Sequence, residues 1–87
     1  MKIKKGFLLR EVAGNPIVVA VGKASLQFNS LITLNNTGVF LWKQLEAGAE
    51  LEDLISAMVS EYDIDRETAK QDILEFLQQI KGAGIIE

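Results

Sequence analysis

Apolar and polar positions change rhythm along this chain, from two-residue alternation in the first third to helical spacing in the rest. Phe7 to Val12 and Pro16 to Val21 read as strands, and the turn-prone Gly14-Asn15 between them predicts a hairpin. Pro16 donates no ladder hydrogen bond, so it is expected to open its strand or sit on an edge. Gly22-Lys23-Ala24 supplies a second turn. A third strand is then expected over Leu26 to Leu34, with Leu26, Phe28, Ile32 and Leu34 on one face and Gln27, Asn29, Leu31 and Thr33 on the other. Ser30 falls among the apolar positions, which favours a bulge or break near Asn29-Ser30.

The rhythm changes at Leu34-Asn35-Asn36-Thr37-Gly38, where Asn35 or Asn36 is placed to cap a first helix. That helix carries Val39, Leu41, Trp42 and Leu45 and stops at Gly48. The second is the clearest periodic signal: Leu51, Leu54, Ile55, Met58, Val59 and Tyr62 form one stripe. Glu50, Glu52 and Asp53 crowd its start, where the helix dipole favours negative charge. Asp63-Ile64-Asp65 breaks it, and Asp65 caps a third helix, with Ile64 available as a staple to Ala69. Ala69, Ile73, Phe76, Leu77 and Ile80 make the inner stripe of that helix, Gly82 and Gly84 end it, and Ile85-Ile86 return to the core. The expected class is therefore α+β: a three-stranded antiparallel sheet followed by a three-helix bundle like a winged helix-turn-helix. Residues 1–87 are expected to form a single domain with one core.

Composition narrows the chemistry. The chain has no cysteine and no histidine, hence no disulfide, thiolate, imidazole base or ordinary zinc set. Its serines have no evident activating base, and the carboxylates around residues 50–67 lack the glycine and spacing of a calcium loop. No phosphate-binding glycine loop is present, so neither catalysis nor a cofactor is expected. No apolar run reaches the roughly 18 residues a bilayer requires, and the expected location is the cytoplasm. Net charge is −3 but divided: residues 1–45 carry six basic groups against Glu11, and residues 46–87 carry eleven acidic groups against three basic ones. Solvated helix faces and a lysine-bearing edge strand are the plainer reading of this division, which can also steer a complementary partner.

The order Phe28-Asn29, Ile32-Thr33-Leu34-Asn35, Thr37-Gly38, Phe40-Leu41-Trp42, Glu61-Tyr62-Asp63, Asp72-Ile73, Phe76-Leu77 and Gly84-Ile85-Ile86 resembles the PqqD-like family. The likeness runs from about Phe7 to Ile86. The chain departs from it at Gln27 and Asn36, where relatives often have an acid, at Ser30, where a glycine is common, and at Ala49-Glu50, where a Thr or Ser cap is usual. Members resemble the D component of pyrroloquinoline quinone biosynthesis. They act as peptide recognition elements that bind the leader of a ribosomally made precursor and present it to a radical S-adenosylmethionine or other modifying enzyme.

The resemblance implies that the leader docks as an added strand beside the third strand and lies against the third helix. Strand addition fits an edge whose N–H and C=O groups lack partners. Carried onto this chain, Leu26, Gln27, Phe28, Asn29, Leu31, Ile32 and Thr33 would pair with the leader. Leu74 would meet an apolar leader residue, flanked by Lys70, Gln78 and Lys81, whose two charges suit an acidic leader. Each has a plainer reading. Leu74 can widen the core stripe, Phe28 and Trp42 can serve the core, and the lysines can pair with neighbouring acids in solvent. Two other functions compete with the adaptor. One is a winged-helix DNA-binding regulator, which the acids of the third helix oppose. The other is a homodimer formed through the open edge.

Overall fold

The computed structural model describes residues 1–26 and 31–87. Strands β1 (Phe7–Val12) and β2 (Asn15–Ala20) pair antiparallel, with Phe7 opposite Ala20 and Val12 opposite Asn15. Ala13 and Gly14 between them both adopt positive φ, 53° and 82°. A two-residue hairpin turn demands this, because its twist then matches that of the strands. The turn thus lies one residue earlier than the expected Gly14-Asn15. Asn15 opens β2, and Ala13 accepts a left-handed conformation that costs a side-chain-bearing residue about 1 kcal/mol.

Strand β3 (Ile32–Thr33) pairs antiparallel with β2, Ile17 opposite Thr33 and Val18 opposite Ile32, giving the order β1-β2-β3. β2 is therefore central, and Pro16 is its second residue. It is tolerated because it sits at the end of the ladder, where its C=O still accepts from the Leu34 N–H at 3.0 Å. The first part of the expected third strand is corrected: Gly22–Leu26 is a 3₁₀ helix. Gly22 has a φ of 63°, and the Ser25 hydroxyl donates to the Gly22 carbonyl at 2.7 Å. Such local hydroxyl bonds compete with extended pairing. The segment is held against the start of β1, where the Gly6 carbonyl accepts from Val21 N–H; a Cβ on Gly6 would lie 2.8 Å from that of Ala24. Leu26 stands 84% exposed at its end. Gln27, Phe28, Asn29 and the bulge expected near Ser30 lie outside the described residues.

Helices α1 (Asn36–Ala47), α2 (Leu51–Glu61) and α3 (Arg66–Gly82) follow the expected periodicity. Asn35, not Asn36, caps α1, and Gly48 ends it with a φ of 92°. At α2, which lacks a Ser or Thr cap, the Asp53 carboxylate accepts the Glu50 N–H at 2.9 Å. Asp65 caps α3 by accepting the Thr68 N–H at 2.7 Å, and Arg66 pairs with Glu52 across the helix–helix turn. All three helices supply one core: Leu41, Trp42 and Leu45, then Leu54, Ile55 and Met58, then Ala69, Ile73, Phe76, Leu77 and Ile80. Val18 and Leu34 join it from the sheet side, and Ile85 and Ile86 return to it as expected.

Residues 85–87 pair with the start of the chain. Ile3 bridges Ile86, the Lys4 N–H donates to the Ile85 carbonyl at 2.8 Å, and the Glu87 N–H donates to the Lys2 carbonyl at 3.1 Å. Among the described residues, β2 is the only strand paired with β3. No helix among them is long and apolar enough to cross a membrane.

Two outcomes test these local arrangements. Ala13→Asn should raise the free energy of unfolding by about 0.5–1 kcal/mol in urea titration, since Asn tolerates the left-handed turn. The Thr68 N–H bonded to Asp65 holds its carboxyl below the usual 3.8. The cap's pH-dependent stability is therefore complete above that value and lost as pH falls through the lower folded value. Asp65→Asn should keep the cap and flatten the acid limb of stability below about pH 4, read from melting temperature against pH.

Candidate functional site

The free edge of β3 is set by the alternation of its ladder. Because the Leu34 N–H donates to Pro16, Leu34 faces β2 with its backbone. Ile32, two residues back, does the same opposite Val18, and Thr33 between them points its N–H and C=O away from β2. Leu31, just before the strand, is 69% exposed.

Beside that edge runs a cleft of about 300 Å³ between β3, the start of α1 and one flank of α3. Thr33 and Leu34 form one wall, and Asp72, Glu75, Phe76 and Gln79 of α3 form the other. Asn35, Thr37, Gly38 and Leu41 close the end at α1. The floor is apolar, because Leu34, Leu41 and Phe76 belong to the core. The rim is polar, with Asp72, Glu75 and Gln79 exposed. No lysine or arginine lines it among the described residues.

The local sequence builds this corner tightly. The Asn35 side chain accepts the Gly38 N–H at 2.7 Å, fixing the direction in which α1 leaves β3. Gly38 is needed for close approach, since a Cβ there would meet Asn35 Oδ1 at 3.2 Å and the Leu34 Cβ at 3.3 Å. The Leu-Asn-Asn-Thr-Gly junction is thus the hinge between strand and cleft.

The structure divides the candidate residues taken from the sequence. Ile32 and Thr33 lie on the edge strand with Leu31 beside them, and Leu26 ends the 3₁₀ helix. Lys70, Leu74, Gln78 and Lys81 come together on α3, but roughly half a turn from the cleft-lining face, on the other flank of the core stripe. Leu74 is 44% exposed and, with Leu77, Gln78 and Lys81, borders a shallow depression there. Asp72, Glu75, Phe76 and Gln79 were not among the sequence candidates. Their spacing gives them one face, but periodicity alone does not say which flank of a core stripe turns toward a sheet.

An α+β domain whose last strand edge has no partner strand among the described residues, beside a helix-walled cleft, is the class this geometry defines. The sequence profile described as Coenzyme PQQ synthesis protein D (PqqD) matches residues 17–86, most of the chain, and the chain belongs to that family. No curated protein matches it significantly. Two solved structures share the fold. TbiB1 in complex with the TbiA(beta) leader peptide is 25% identical with a TM-score of 0.81, over 100% of this chain and 95% of that one. A lasso peptide synthetase B1 complexed with the leader peptide is 19% identical with a TM-score of 0.75, over 97% and 93%.

Asn35→Ala should cost about 1 kcal/mol of stability by losing the cap. It should also shift the amide resonances of Thr33, Thr37 and Gly38 more than those of α2, as measured by 15N–1H correlation spectra.

Proposed function

We propose that this protein is a non-catalytic adaptor whose residues 1–87 act as one module. It binds the leader of a ribosomally made precursor peptide in extended form and presents it to a peptide-modifying enzyme, of the radical S-adenosylmethionine or another type. The observation that carries this reading is the outward-facing backbone of Thr33 beside the α3 cleft. The chain's fold matches that of TbiB1, which was solved with a leader peptide. Unpaired strand groups supply affinity through main-chain hydrogen bonds, and neighbouring pockets read alternate side chains.

In this reading Leu31, Ile32 and Thr33 form the docking strand, and Leu26, Gln27, Phe28 and Asn29 prolong the contact. Side chains on the inward face of the leader enter the cleft. Lys70, Leu74, Gln78 and Lys81 would receive only leader residues that continue past the strand and around α3. The DNA-binding alternative draws no support from α3, whose cleft face carries Asp72 and Glu75 in a half of the chain with a net charge of −8.

Thr33→Pro tests the reading directly. Proline removes the outward N–H while sparing the bonds between β2 and β3, so the fold should persist. Leader binding, measured by fluorescence anisotropy with a labelled peptide encoded near this protein's gene, should weaken about tenfold or more. Unchanged affinity in a folded variant would exclude pairing at Thr33. Sedimentation should give a monomer that forms a 1:1 complex; self-association that peptide fails to disrupt would assign the edge to a second copy.

A further inference from the structure

Resting on the strand-addition reading, we infer that the cleft selects leaders carrying a lysine or arginine two residues from an apolar anchor. The floor at Leu34, Leu41 and Phe76 offers a place for an apolar side chain. One helical turn before Phe76 on the same wall stands Asp72, and Glu75 stands next to it. Both are exposed, and neither forms an ion pair among the described residues.

Spacing ties the two features together. Asp72 and Phe76 are four helical residues apart, a rise of about 6 Å. On a strand, alternate residues on one face are about 6.8 Å apart. A leader added along β3 in line with α3, with one inward side chain over Phe76, would bring the next inward side chain beside Asp72 and Glu75. Helix and strand repeats match there, so one pair of leader positions reads both features.

Charge decides what the second position carries. The start of α1 closes the same cleft and contributes a partial positive charge of about one half. Its first turn holds no acid of its own. Two full negative charges exceed that half charge, and the cleft keeps a negative balance that attracts a cation and repels a carboxylate. The lysines that would suit an acidic leader, Lys70 and Lys81, lie on the other flank of α3.

A displayed library of random 12-residue peptides, selected on the wild-type protein and on Asp72→Lys/Glu75→Lys, tests this. Both positions are exposed, so the double variant should fold, which a circular dichroism melt verifies. Peptides selected on the wild type should carry Lys or Arg two residues from Leu, Ile, Val or Phe and should shift the Thr33 amide. On the double variant the preference at that position should turn to Asp or Glu, and a wild-type-selected peptide should bind about tenfold more weakly. Selected peptides that shift Thr33 without a cationic preference, or a preference the double variant leaves unchanged, would overturn the charge rule and leave strand addition standing. Selected peptides that leave Thr33 unmoved would overturn strand addition itself, and the charge rule with it.

Discussion

A sheet whose last strand has no partner on its outer side among the described residues governs the rest of this structure. Backbone N–H and C=O groups are obligatory hydrogen-bonding groups, and at Thr33 they point away from β2. Water can satisfy them, but an extended polypeptide can do so as well while burying apolar side chains in the adjoining cleft. β3 is only two residues long, which limits the self-association that a long flat edge would invite. A short edge beside a cleft floored by Leu34, Leu41 and Phe76 favours a partner that brings side chains as well as backbone.

The rest of the fold holds that edge in place. Trp42 and Leu45 anchor α1 in the core immediately after the strand, and Asn35 and Gly38 set the angle between them. α3 is held along its whole length by Ala69, Ile73, Phe76, Leu77 and Ile80, so the cleft wall is as firm as the core. The C-terminal residues, which could have competed for the edge, are occupied in pairing with residues 2–4. Strand, junction and wall thus each lean on the same core.

Helices were the most legible part of the chain. A 3.6-residue stripe repeated over Leu51–Tyr62 and Ala69–Ile80, together with capping residues, specifies both type and extent. The hairpin was legible too, though its turn was displaced by one residue because Ala13 takes a left-handed position that composition does not advertise. Alternation placed the third strand at Ile32-Thr33 but began it too early, at Leu26. The turn expected at Gly22-Lys23-Ala24 runs on as a 3₁₀ helix closed by the Ser25–Gly22 bond, and Leu26 ends up in solvent rather than on a buried face.

At the site, periodicity places residues on a strand or on a helix flank but does not say which flank meets the sheet. Ile32 and Thr33 stand on the edge strand, and on α3 Leu74 lies on one flank while Asp72 and Phe76 lie on the flank beside β3. Both flank the same core stripe, and only the three-dimensional placement of the sheet separates them. Residue-resolved amide exchange, compared between the free protein and its leader complex, tests the central claim most directly. The account predicts marked slowing at Thr33, whose N–H gains a partner, and little change at Ile32, already bonded to β2. A tight complex in which Thr33 exchanges as fast as in the free protein would contradict it.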